Sequence, residues 1–268
     1  DKTIDTNIGT VLLTDDSSPI KDQGMTASAD LSVSHYLTEN LAVFANVGHY
    51  QKRHFQENEY DLISYSASPG VRVVINEHLL QAQGRYQHLH YDANPLLDIW
   101  GPRLTYAYMP RENVQLITDL FWDIRDNHEE DDRDSHYFSG GEYLRVFWGP
   151  RDNEFMTGLR FFGENANEER YSNYGWEITG YVDFKMDYGL KPYIMASYRS
   201  TAWSGTHSAL ATDDRFDQMV RMRVGMAADL YFDGLSLDAS LEVINNSSNF
   251  DASTYNKYVP GITLKYEF

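Results

Sequence analysis

Ionisable side chains recur at alternate positions of short segments whose other parity is apolar. The arginines of this kind are Arg72, Arg85, Arg103, Arg145, Arg160, Arg199, Arg221 and Arg223. The acids are Asp5, Asp30, Asp119, Asp123, Glu177, Asp183, Asp229, Asp238 and Glu242, placed mostly on other segments. Two chemistries suit this pattern. Opposite charges on facing walls of a passage set up a transverse field that orients dipolar solutes and excludes apolar ones. Alternatively, guanidinium and carboxylate groups pair across neighbouring strands and stiffen the wall. Sequence leaves both open.

Other chemistry-bearing residues are weaker candidates. His88 and His90 share one face of an extended segment, but two imidazoles without a third ligand make a poor metal site. The run from Asp126 to His136, DNHEEDDRDSH, combines carboxylates with two histidines. Such a set can bind a divalent cation, although its spacing matches no EF-hand loop. Its plainer reading is a solvated loop. A serine nucleophile needs a histidine base within hydrogen-bond reach, and two such residues on one strand must share a face to meet. Ser34 precedes His35 and Ser135 precedes His136, so each pair diverges to opposite faces. Neither a serine-hydrolase elbow nor an HExxH motif occurs. The expectation is no enzyme, no metal and no cofactor.

The elements that position these groups read as strands. Val114, Leu116, Leu120, Trp122 and Ile124 alternate with Gln115, Asp119 and Asp123. Val220, Met222, Val224 and Met226 alternate with Arg221 and Arg223, and Leu235, Leu237, Ala239 and Leu241 with Ser236, Asp238 and Ser240. A period of two is a strand signal. Short turns at 38–40, 76–78, 110–113, 149–153, 187–189 and 233–234 alternate with longer polar connections near 15–23, 53–59, 92–97, 126–135, 164–172, 204–214 and 246–254. The resulting strands are 3–14, 24–36, 41–52, 60–75, 79–91, 98–109, 113–125, 136–148, 154–163, 173–186, 190–203, 215–231, 235–245 and 255–268. The expected fold is all-β: one domain over 1–268, an up-and-down antiparallel transmembrane β-barrel of about 14 strands, with 12 or 16 as alternatives. An even count sets both ends of the sheet side by side, so that it can close and lose its edges.

Composition agrees with that expectation. The chain has 268 residues, no cysteine, and 14% aromatic residues. Its mean hydropathy is −0.53, and it has no apolar run of about 18 residues, which a transmembrane helix needs and barrel strands do not. A formal charge of −18 repels phosphate backbones and argues against nucleic acid as a partner. Residues 1–4 carry no leader pattern, so the expectation is a processed chain or one never exported. Strands of 12 or more residues suit a bilayer crossing. Tyr36, Tyr108, Trp148, Tyr188, Tyr231, Tyr266 and Phe268 towards one end, with Tyr60, Tyr91, Trp100, Tyr137, Tyr171, Tyr174 and Trp203 towards the other, suit two interfacial belts.

The tail Ile262-Thr263-Leu264-Lys265-Tyr266-Glu267-Phe268 alternates strictly and ends in an aromatic carboxylate. It resembles the C-terminal assembly signal of bacterial outer-membrane barrels, which implies that Ile262, Leu264, Tyr266 and Phe268 are read by the outer-membrane insertion machinery. Length, strand count and single-domain organisation are similar to OmpG-type monomeric porins. The last hairpin, from Asn245 to Phe268, looks like the end of Slam-type surface-lipoprotein translocator barrels. The resemblance implies a Gram-negative outer membrane, contact with its lipid and lipopolysaccharide, and a monomeric channel for small hydrophilic solutes. The arginines above, with Asp119, Asp123, Glu177, Asp183, Asp238 and Glu242, would then line the pore. The alternatives are the barrel of an exporter for surface lipoprotein or polysaccharide and, third, a lipid-acting outer-membrane enzyme.

Overall fold

A computed structural model describes residues 24–54, 61–92, 94–150, 153–205, 214–230 and 235–266. Its strands are β1 (Gly24–Tyr36), β2 (Leu41–His54), β3 (Leu62–Ile75), β4 (His78–Tyr91), β5 (Asn94–Arg111), β6 (Val114–Asn127), β7 (Ser135–Trp148), β8 (Asn153–Ala166), β9 (Asn173–Asp183), β10 (Leu190–Trp203), β11 (Phe216–Asp229), β12 (Leu235–Ser248) and β13 (Tyr255–Tyr266). They form one sheet in strict sequence order, each antiparallel to the next. The fold class is therefore all-β, an up-and-down sheet of barrel type. The expected strand 3–14, with Asp5, lies outside the described residues, as does Phe268.

Several strand bounds differ from the sequence reading: β8 runs on to Ala166 and β12 to Ser248, each three residues further than expected, and two other segments change more in kind. The polar connection expected at 92–97 is mostly strand: β5 begins at Asn94 and runs 18 residues. Asp92 makes the turn instead, at φ 46°, a left-handed position that Asp tolerates. Pro95 and the polar composition hid the strand, but the register slips between Leu89 and His90 and leaves Leu96 as an extra residue. This bulge absorbs the irregularity. The strand expected over 173–186 stops at Asp183. Residues 184–186 still pair with β10, the Phe184 N–H donating to the Pro192 carbonyl at 3.0 Å and the Met186 N–H to the Leu190 carbonyl at 2.8 Å, up to a tight turn at Asp187–Gly189.

The period of two sorts the side chains by face. Leu120 is 46% exposed and Asp119, the preceding residue, 3%. Large apolar side chains stand exposed on one face throughout, among them Val47, Leu104, Trp122, Phe161, Ile178, Val224 and Leu241. The opposite face is concave, because its side chains reach over whole strands. Arg85 on β4 meets Asp123 on β6, Arg125 on β6 meets Glu164 on β8, and Tyr193 on β10 meets Asp238 on β12. Strands two apart are about 9.6 Å apart in a flat sheet, so only inward curvature lets such side chains meet comfortably.

The inner face is not uniformly polar. Towards the short-turn end, Leu79, Ala107, Ile117 and Tyr143 form a buried cluster from four consecutive strands. Leu62, Leu89 and Ile99 form a second near the other end. Gly158 lies directly opposite Tyr143 in the β7–β8 register. The tyrosine ring lies across it, where a Cβ would collide with Cδ1 of the ring.

Candidate functional site

The alternation that exposes Leu120 turns the arginines inward, and the antiparallel register decides what each one meets. Arg103 on β5 donates to both oxygens of Asp119 on β6, Nε to Oδ1 and Nη2 to Oδ2, each at 2.8 Å. Thr105 donates a third bond to Oδ1, also at 2.8 Å. Arg145 grips Glu154 in the same two-pronged way at 2.6 and 2.8 Å. Arg199 donates to Glu177 through Nε and Nη2 at 3.0 and 2.6 Å. Arg221 and Arg223 share Glu242, at 3.2 and 2.8 Å. Arg85 reaches Asp123 at 3.3 Å and also bonds Gln87.

Two of the arginines engage neutral groups instead. Arg72 donates twice to Gln81 at 3.1 Å and covers the Phe44 ring. Arg160 donates to the Tyr143 hydroxyl at 3.0 Å. Asp183 accepts the Glu154 backbone N–H at 2.8 Å and the Tyr181 hydroxyl at 3.1 Å. Asp238 accepts from Tyr193 at 3.1 Å. Asp229 binds Lys191 at the short-turn rim.

Of the two chemistries open in the sequence, cross-strand pairing describes most of these residues. The segregation of arginines from acids along the chain dissolves once neighbouring strands are laid together, because an arginine on one strand faces an acid on the next. Part-buried pairs with two parallel N–H···O bonds are rigid and directional. Such a wall presents hydrogen-bonding groups held in place, and the net charge along it is locally near balance.

Several inner-face residues escaped the sequence reading. Arg125 bonds Glu164 at 2.8 Å and stacks over Tyr137 at 4.0 Å. Ser135 donates to the same glutamate at 2.6 Å. Arg215 pairs with Asp217 at 2.6 Å. Parity held the signal: Glu154 and Glu164 share the parity of Arg160, and Arg125 that of Asp119 and Asp123. Phe121, Tyr137 and Phe162 stack across three strands at 5.6 and 6.5 Å, and Arg199 caps the row over Phe162 at 5.3 Å.

Of the tail, Ile262 and Leu264 stand exposed on the outer face at 80% and 64%, opposite Ala239 and Leu237 of β12. Among the described residues one group presents metal-type ligands together: His88, Asp98 and His128. The loop after β6 is tied down by its own side chains. Asp134 accepts from the Asn127 N–H at 2.7 Å, and Arg133 pairs with Glu130 at 2.8 Å. Compared with models of known protein families the sequence matches none, and no curated protein is significantly similar to it.

Proposed function

We propose that this chain is an outer-membrane barrel that works as a passive channel for small hydrophilic solutes. One observation carries the reading. A single up-and-down antiparallel sheet exposes apolar side chains on its convex face and gathers paired arginines and carboxylates on its concave face. A water-soluble β protein has the opposite economy, with apolar side chains packed inside. Lipid reverses it. Fourteen-residue strands are long enough to cross a bilayer when tilted.

The other parts of the proposal rest on the sequence resemblance as well. The convex face meets lipid and lipopolysaccharide, the alternating tail is read by the insertion machinery of a Gram-negative outer membrane, and the barrel is a monomer of the OmpG-type porin kind. Paired charges on the inner face favour hydrated, polar solutes over apolar ones. The experiment is reconstitution of the detergent-purified chain in a planar bilayer. Unitary ohmic current steps support a channel. Correct folding, shown by faster migration of the unheated than the boiled protein on a denaturing gel, without any current would reject it and favour an exporter barrel.

A further inference from the structure

We infer that His88, Asp98 and His128 bind a divalent transition cation of the Zn²⁺ or Ni²⁺ class on the outer face, at the loop ends of β4, β5 and β6. The site does not depend on whether the barrel conducts.

Three strands supply it. His88 lies directly opposite Asp98 in the β4–β5 register. His128 follows the end of β6, and its backbone N–H donates to the Leu96 carbonyl at 2.9 Å, continuing the β5–β6 ladder by one step. Leu96 is the bulged residue of β5. The bulge therefore sits inside the site and holds the loop histidine over the strand, a common use of bulges.

The ligand atoms already converge. His88 Nδ1 lies 2.6 Å from Asp98 Oδ1, and His128 Nε2 lies 3.0 Å from Asp98 Oδ2. One ligand atom from each of the three residues lies within 4.8 Å of the others. Tetrahedral bonds of about 2.0–2.2 Å set ligand atoms roughly 3.3 Å apart. An opening of about 1 Å or less around the carboxylate admits the ion, which takes the place of the protons shared between imidazole and carboxylate. The Tyr86 hydroxyl donates to Asp98 Oδ1 at 2.9 Å, an outer partner that fixes the carboxylate's orientation. The three side chains are 24%, 22% and 35% exposed, so an ion and a completing water can enter. Two imidazoles with one carboxylate favour Zn²⁺, Ni²⁺ or Cu²⁺ over Ca²⁺ and Mg²⁺, which prefer all-oxygen shells.

His90 makes the proposal easy to separate from a lesser one. Its ring centroid is 4.3 Å from that of His88, and two neighbouring imidazoles on one strand could hold Ni²⁺ weakly by themselves. The experiment uses the untagged full chain refolded in detergent, stripped with chelator and titrated with Zn²⁺ by calorimetry. The expected result is one site per chain that excess Mg²⁺ does not displace. Asp98→Asn and His128→Gln should each weaken it by about tenfold or more, and His90→Gln should leave it nearly unchanged. Absence of Zn²⁺ binding overturns the proposal. So does binding that survives both Asp98→Asn and His128→Gln but is lost in His90→Gln. The wild-type protein alone gives a second readout, needed if a variant does not refold. Zn²⁺ should protect both His88 and His128 from acylation by diethylpyrocarbonate, read by peptide mass spectrometry. Equal labelling with and without Zn²⁺ overturns the site.

Discussion

Arg103 and Asp119 hold β5 and β6 together through two parallel 2.8 Å hydrogen bonds on the concave face, while Leu120, one residue further, projects from the convex face. The pair shows what the wall is made of: charges that satisfy each other across a ladder, backed by exposed hydrocarbon. Removing a buried acceptor that serves three donors costs much, because the guanidinium of Arg103 and the hydroxyl of Thr105 are left without it.

The first expectation follows from that asymmetry. Asp119→Ala should destabilise the folded chain by about 1–3 kcal/mol. Replacing both residues, Arg103→Ala with Asp119→Ala, should cost less than the sum of the two single changes. Urea unfolding of the protein in lipid vesicles gives the four stabilities of the cycle. Strict additivity would mean that the pair is not formed in solution.

The convex face offers a separate test. Leu120 and Val224 are 46% and 39% exposed. In water, exchanging an exposed side chain away from special features changes stability by about 0.5 kcal/mol or less. Facing lipid near mid-membrane, Leu120→Arg or Val224→Arg should each cost about 2–4 kcal/mol. Neutral substitutions at both positions would contradict the membrane reading.

Much of this fold was legible because a strand's face is written in residue parity. Leu120 and Asp119 are separated by one step, and that step is decisive. Register was less legible than strand order, since it depends on bulges and turns that leave little trace. Asn94, Pro95 and Leu96 read as loop, yet they extend β5 through a bulge. For the same reason His88 and His90 looked like an incomplete ligand set: Asp98 and His128 lie 10 and 40 residues away from His88 along the chain, and only the β4–β5–β6 register brings them beside it. The charge pattern left two chemistries open for a related reason. Arginines and acids separate along the chain, but adjacent strands interleave them, so Arg145 finds Glu154 and Arg199 finds Glu177.

Gly158 and Gly180 give a matched pair of backbone tests. A Cβ at Gly158 would strike the Tyr143 ring, whereas one at Gly180 meets nothing within 4 Å. Gly158→Ala must displace Tyr143 from its cluster with Leu79, Ala107 and Ile117 and weaken its bond from Arg160. It should cost about 1–3 kcal/mol, as overpacking does. Gly180→Ala should fall within about 0.5 kcal/mol of wild type. Thermal shift of heat-modifiable migration, with each variant run beside wild type, compares them. A larger loss at Gly180 would mean that the faces of β8 and β9 are assigned wrongly.

Ion selectivity separates arginines paired with a carboxylate from one that engages a neutral group. Arg145 and Arg199 neutralise Glu154 and Glu177 through bonds of 2.6–3.0 Å, whereas Arg160 donates to the Tyr143 hydroxyl. The open channel of the wild type should show a mild cation preference at low salt. Acidic loop residues between Asp126 and Asp134 raise the cation concentration at the mouth. That preference should fade as ions screen the loops over about 10 Å at 0.1 M. Arg145→Gln together with Arg199→Gln leaves two carboxylates on the inner face without their counter-charges, so cation preference should rise and persist at higher salt, because part-buried charges are screened less. Adding Arg160→Gln removes one more positive charge and should raise it further, while Arg160→Gln alone should act by charge without freeing a carboxylate and give the smaller change. The measurement is the reversal potential across a bilayer under a salt gradient, for wild type and each variant. Anion preference in the wild type, or reversal potentials untouched by the triple change, would show that these arginines do not border a conducting path, and the exporter reading would then take precedence over the channel.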